Sequence, residues 1–338
     1  MTSFFKHVRT LRLGLLLALA LASPLRAQKI KLATLVPSGS IWDRTLKEMG
    51  DEWRSDSGGK ISMRIYAGGV AGDETDMARK LKIGQLQGGL FTASGLGQIE
   101  PAFRIFEIPL LFKDEDEVTF VVNAIREDFE KRLDKQGYVL VHWGHAGWMR
   151  IFSTKPIRKY RDFIEMKQFV WGGGTRVGGW YEEKGIRTVP LSTPDILTGL
   201  QTGLVDVIPS TPLAALSLQW FRAAPYMFER RLAPLIGGTI ISKRAWKKIA
   251  PEHQEKMLAA GERATTKLFD EVPRSEADAL SEMVKRGLEI TMIAGPDDER
   301  KWDELGNHFR TRMREDSIPR DIFDRVIGLL LDYRKKKE

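Results

Sequence analysis

The sequence predicts an α/β protein of two doubly wound lobes, joined by crossing strands and braced by a long C-terminal helix. Three observations carry this expectation. Segments with strand and helix periodicity alternate from residue 29 onward in βαβα order. A short pattern recurs, Leu81-Lys82-Ile83-Gly84-Gln85-Leu86-Gln87 and Leu200-Gln201-Thr202-Gly203-Leu204-Val205-Asp206. Each copy reads as helix end, glycine turn and strand, which two similar lobes would generate, although so short a match also arises by chance. Finally, Pro251 opens a helical pattern through Met257, Leu258, Ala260 and Leu268 towards Met283. A helix of about 35 residues is roughly 50 Å long, enough to span both lobes.

Ahead of the first strand, Lys6, Arg9 and Arg12 precede an apolar run over 13–22 and the break Ser23-Pro24-Leu25-Arg26-Ala27. This reads as a signal peptide cleaved after Ala27, or earlier at Ala20-Leu21-Ala22. The run has 10 residues, about half of the ~20 that a membrane-spanning helix needs. The mature chain, roughly 310 residues long, is therefore expected free in the periplasm, with enough length for two cores.

Within it, residues 29–34 read as a strand. Ser40 caps a helix carrying Trp42, Leu46, Met49 and Trp53, which Gly58-Gly59 ends. Ile61, Met63 and Ile65 alternate as a second strand, a helix with Met77 and Leu81 ends at Gly84, and 86–91 is apolar. A longer helix over about 114–135 opens with acids and shows Val118, Val121, Ile125, Phe129 and Leu133 on one face. Strands are then expected at 138–142, 150–153, 169–171, 188–190 and 205–208, with a short helix capped by Thr193 and closed at Gly203. Pro273 must kink or interrupt the long helix. The expected division is 1–27 signal peptide, 28–150 plus about 236–272 as lobe I, and 151–235 plus about 273–338 as lobe II.

The chain has no cysteine and carries a formal charge of +8, which falls to +4 without the first 27 residues. Disulfides, thiolate chemistry and an N-terminal lipid-modified cysteine are thereby excluded. The remaining charges are interspersed, as in Asp114-Glu115-Asp116-Glu117 with Arg126, Lys131 and Arg132, a pattern of solvated helix faces rather than a nucleic-acid patch. The basic run 334–337 reads as a solubilising tail.

Several marks then occur in order: Ser57-Gly58-Gly59-Lys60-Ile61; Gly68-Gly69-Val70-Ala71-Gly72-Asp73-Glu74; Phe106-Glu107-Ile108-Pro109-Leu110-Leu111-Phe112; Arg150 before Lys155-Pro156-Ile157; Val189-Pro190-Leu191; and 200–206. Together they resemble the periplasmic receptors of tripartite ATP-independent periplasmic (TRAP) transporters, the dicarboxylate and sialic acid receptor family, over nearly all of the mature chain. The resemblance implies a solute receptor, not an enzyme, that closes two lobes on a ligand and delivers it to membrane subunits. No cofactor is implied. It places Arg150 at a family arginine that reaches the ligand, and Glu74 and Trp148 beside the cleft. In Met166-Lys167-Gln168-Phe169-Val170, Phe169 stands where the family has its carboxylate clamp arginine, and Ser210 or Thr211 replaces an asparagine.

A phenylalanine cannot make a bidentate salt bridge. With Trp171, Trp180 and Tyr181 nearby, the ligand is expected to have a more apolar body than a small dicarboxylate, or these rings are core. A branch of the family associated with tetratricopeptide-repeat proteins becomes the expected relation, with such a protein as an escort. The run Gly172-Gly173-Gly174-Thr175-Arg176-Val177-Gly178-Gly179 lacks the ending of a phosphate loop. It is either a flexible loop or a cleft loop bringing Arg176 to the ligand. His142-Trp143-Gly144-His145 has no completing ligands for a metal, and no nucleophile triad is recognisable. An exported hydrolase or lyase is the alternative function.

Overall fold

The computed structural model describes residues 28–171 and 175–337, without the side chains of 175 and 176. The expected signal segment, Gly172-Gly173-Gly174 and the side chain of Arg176 lie outside the described residues.

In the first lobe, β1 (Gln28–Thr34) pairs in parallel with β2 (Ile61–Tyr66) and β3 (Gly88–Thr92). Between them run α1 (Ile41–Asp56), where Ser40 accepts from Asp43 N, and α2 (Glu74–Ile83), capped by Asp73. After the short α3 (Ala93–Leu96) and a 3-10 turn at Pro101–Glu107 comes α4 (Glu115–Lys135). The sheet is completed by β4 (Tyr138–Trp148) and by β10 (Pro234–Ser242), which returns late in the chain between β3 and β4, antiparallel to both. The sheet is thus mixed rather than wholly parallel. Since β10 is covered on both faces, its residues are nearly all buried and lack the alternation that marks a strand in sequence.

The second sheet has six strands in the order β11, β9, β5, β8, β6, β7. Its members are β5 (Arg150–Ser153), β6 (Gln168–Trp171), β7 (Thr188–Leu191), β8 (Val207–Ser210), β9 (Tyr226–Phe228) and β11 (Glu289–Thr291). Short helices α5 (Tyr160–Ile164), α6 (Thr175–Glu182), α7 (Ile196–Gln201), α8 (Pro212–Ser217) and α9 (Trp220–Ala223) connect them. The recurring pattern has the same hydrogen bonds in both lobes. Gly84 N donates to Leu81 O and Gln85 N to Lys80 O, while Gly203 N donates to Leu200 O and Leu204 N to Gly199 O. Both glycines have positive φ, 82° and 68°.

The lobes are joined by β4 running into β5 through Met149 alone, and by the segment between β9 and β10. Met149 N donates to Ala233 O and Leu232 N to Met149 O, so the two crossings pair. After the short α10 (Lys243–Trp246), α11 (Pro251–Lys285) runs its 35 residues without interruption through Pro273. Met257 and Ala260 belong to the same core as Leu46 and Trp53 of lobe I, whereas Met283 belongs to that of Phe152 and Ile208. Gly261 lets the helix lie on β4, since a Cβ there would be 2.0 Å from Val141 O.

The last helices are α12 (Pro296–Asp316) and α13 (Arg320–Lys337). Trp302 of α12 packs on Phe228 and Phe163 of the second lobe. Helix α13, included in lobe II by the expected division, packs on α4 of the first lobe. Arg334 donates twice to the buried Glu117 at 2.7 Å and once to Leu111 O, and Lys337 reaches Asp116 at 2.9 Å. The basic run is therefore not a free tail, and the acids opening α4 are in part its partners.

Candidate functional site

Antiparallel pairing sets Arg150, first in β5, opposite Ser210, last in β8. The parallel register Gln168↔Val207 puts Trp171, last in β6, level with Ser210. Arg150, Ser210 and Trp171 therefore share one face at one end of the sheet. Ligands of open α/β sheets are bound at the carboxyl ends of parallel strands, such as those of β6 and β8.

Arg150 is half-buried. One Nη1–H donates to Glu229 O, but Nε is buried without a partner, and no carboxylate lies within ion-pair distance of it among the described residues. Burial pushes its pKa down, and Arg231 adds to this, while Glu276 and Glu229 oppose the shift. The site thus contains a partly desolvated guanidinium whose Nε has no partner. Such a group is costly unless an anion pairs with it.

Trp171 is 38% exposed, whereas Phe169 is only 2% exposed. Phe169 sits beneath the site in the cluster of Phe152, Ile196 and Leu200, and its ring meets Trp171 edge-on at 4.8 Å. Trp148 is fully buried, its Nε1 donating to Glu115 at 2.5 Å and its ring lying 5.3 Å from Arg231 Cζ. Trp180 is also core. Ser210 donates to Thr211 O, while Thr211 Oγ1 is committed to capping α8 through Ala214 N.

On the first lobe, Glu74 opens α2 and takes two hydrogen bonds from Thr92, N at 2.5 Å and Oγ1 at 2.7 Å. Burial nevertheless raises its pKa to about 7; those bonds lower it, and Glu107 and Asp73 add to the rise. Glu107, bonded to Ser94, is also raised by burial. Glu107 and Glu276 are not among the residues the sequence singles out, although each leaves a signal there. Glu107 is an acid within the apolar mark 106–112. Glu276 lies on the buried stripe Leu268, Val272, Ala279, Met283 of α11.

A crevice of about 40 Å³ opens on the opposite face of the second sheet, among Leu110, Ile151, Gln168, Tyr181, Leu232 and Trp302. It is large enough for a water but not for a ligand ring. Leu110 enters from the first lobe with φ 61° and donates its N–H to Leu232 O at 2.6 Å. The wider hollow beside Glu262 and Lys267 on α11 is open helix surface, away from the strand ends.

His142 is buried and its pKa pulled down to about 4, while His145 Nε2 stands 3.2 Å from Glu115. No three His, Cys, Asp or Glu side chains gather for a metal among the described residues. No helix among them is long and apolar enough to cross a membrane.

Residues 32–315 match the model of the bacterial extracellular solute-binding proteins, family 7. The sialic acid-binding periplasmic protein SiaP of Vibrio cholerae is 22% identical over 85% of this chain and 89% of its own length. Among solved structures, the Bordetella pertussis receptor DctP7, with pyroglutamic acid, has a TM-score of 0.81 at 19% identity, covering 90% of this chain and 99% of that one. A TRAP periplasmic solute-binding protein of Xanthobacter autotrophicus, with β-D-galacturonate, has a TM-score of 0.82 at 21% identity, covering 88% and 99%. These relatives are solute receptors and not enzymes.

Proposed function

The chain belongs to the bacterial extracellular solute-binding proteins, family 7, and on that premise we propose that it is a periplasmic receptor for a small organic acid with an apolar body, handed on to TRAP-type membrane subunits. Arg150 carries the reading: a half-buried cation with an unpartnered Nε and, among the described residues, no ion pair is completed by a ligand carboxylate. Pyroglutamate, galacturonate and sialic acid, named for the relatives, all carry a carboxylate. Ser210 adds a polar contact, and Glu74 faces the ligand from the other lobe. Closure follows from a ligand that contacts both lobes and so binds the closed state better.

The apolar body is supported by Phe169 at the clamp position and by Trp171, exposed and edge-supported on it. Covering ~150 Å² of ligand on such a ring contributes about 4 kcal/mol before ordering costs. Release from the membrane follows export by the N-terminal segment, and a tetratricopeptide-repeat escort fits a ligand of low solubility.

Native mass spectrometry and solvent extraction of the purified chain should recover an acid with a ring or hydrocarbon body. Small-angle scattering with that acid should show a smaller radius of gyration. An unchanged profile at saturation would overturn the receptor mechanism. Tight binding of succinate that Phe169→Ala leaves untouched would remove the apolar body and keep the receptor.

A further inference from the structure

One turn beyond Pro273, α11 turns the carboxylate of Glu276 inward onto the strand that crosses between the lobes. Oε1 accepts from Trp148 N at 2.9 Å. Gly147, at φ 90°, is pressed against the same carboxylate, where a Cβ would lie 2.9 Å from Cδ. Only glycine meets both demands without strain. Met149 follows, fixed by Ala233 and Leu232 of the other crossing, and then Arg150, whose side chain has a single bond to Glu229 O. The crossing is thus held by its two sheets and, independently of both, by one carboxylate from the brace. Before Pro273, Leu268 and Val272 of that brace pack with Ile41 and Trp42 of lobe I, while Met283 packs in lobe II. Glu276 lies between these two attachments.

The ionisable groups around it are Arg150 on β5, His145 on β4 and Glu115 on α4, with Arg231 over the Trp148 ring beyond. Burying a carboxylate among them is expensive, and an apolar side chain would fill the stripe at less cost. The return is a strong acceptor on a buried peptide N–H two residues from Arg150.

We propose that Glu276 is a positioning residue for Arg150: by holding Trp148 N to the brace it sets where the guanidinium stands, without touching the ligand. The proposal rests on Arg150 as the carboxylate partner, so its test separates the two ideas. In the full chain, Glu276→Gln keeps shape and acceptor, and Glu276→Ala removes both. Amide hydrogen exchange over 147–151 and the Arg150 Nε NMR signal are recorded first, then the response of that signal to acetate and to D-glucuronate.

In Glu276→Ala, exchange at Trp148 should rise about tenfold or more, the loss of one buried hydrogen bond. The Nε signal should move and its acetate response should weaken, with the rest of the chain protected. Glu276→Gln should restore all three to within about twofold of the parent. Unchanged Nε and acetate behaviour in Glu276→Ala overturns the proposal. So does a Gln variant as damaged as Ala with exchange raised throughout, which marks a purely structural role. If the parent responds to neither acid, the carboxylate reading of Arg150 falls, while exchange and Nε position still decide for or against Glu276. Should Glu276→Ala not fold, Glu276→Asp withdraws the acceptor by one methylene and is read in the same way.

Discussion

The two lobes offer opposite chemistry at their strand ends. On the first, the oxygens of Glu74 are engaged by Thr92, and Glu107 by Ser94, all within the lobe. On the second, Arg150 has one carbonyl partner and, among the described residues, no counter-charge within ion-pair distance. A charge satisfied within its own lobe shapes and titrates the wall, whereas one left unsatisfied awaits a partner. Ligand recognition is therefore expected to centre on the second lobe, and proton sensitivity on the first.

The largest expected effect breaks this contrast directly. Arg150→Ala should weaken binding of the co-purified acid by about 2 to 4 kcal/mol, as when a desolvated charged pair is broken. Its melting temperature should hardly change, because no ion pair is lost. Calorimetric titration beside thermal unfolding checks this. A lower melting temperature with affinity preserved in the folded fraction would make Arg150 structural.

Next comes Glu74. Its folded pKa of about 7 lies above the ordinary 4.5, so the folded chain holds the extra proton and stability falls as pH rises across that interval. His142 acts oppositely: with a folded value of about 4 against 6.5, its contribution is complete above 6.5 and is lost as pH falls towards 4. The two slopes should largely cancel between about pH 4.5 and 6.5 in the parent chain. Glu74→Gln should expose the histidine slope and add about 2 kcal/mol at pH 7.5, allowing for solvent screening at this partly exposed site. Urea unfolding at stepped pH gives the answer, and parallel profiles for parent and variant would refute the assignment.

The smallest effect sharpens the likeness of the lobes. Gly203→Ala meets open space and should cost about 1 kcal/mol, from its left-handed backbone alone. Gly84→Ala must also displace the Arg244 guanidinium, 1.7 Å from the new Cβ, and should cost somewhat more. Equal melting temperatures for the two variants would argue against that added contact.

Much of the first lobe was legible because its signals are local. Ser40 caps the first helix and acids open α4 where the sequence places them, whereas Thr193, the expected cap in the second lobe, lies inside a 3-10 turn that Ser192 precedes. The second lobe was read less well. Its strands span only three or four residues, too short for a period, and β8 begins at Val207 rather than 205. The candidate site was legible as positions but not as exposures. Trp148, Trp171 and Trp180 are alike in sequence, yet only Trp171 is substantially exposed.

By itself, then, the sequence determined the Ser40 cap, the glycine turns at 84 and 203, the alternation of strands and helices, and the long brace. Each depends on hydrogen bonds or spacings within a few residues. Only the tertiary structure decided that β10 enters the first sheet between β3 and β4, that Arg334 finds Glu117 across 217 positions, and that Glu276 meets Trp148 N. Burial and charge pairing depend on groups that folding brings together from distant parts of the chain, and no local pattern records which partner a buried group will meet.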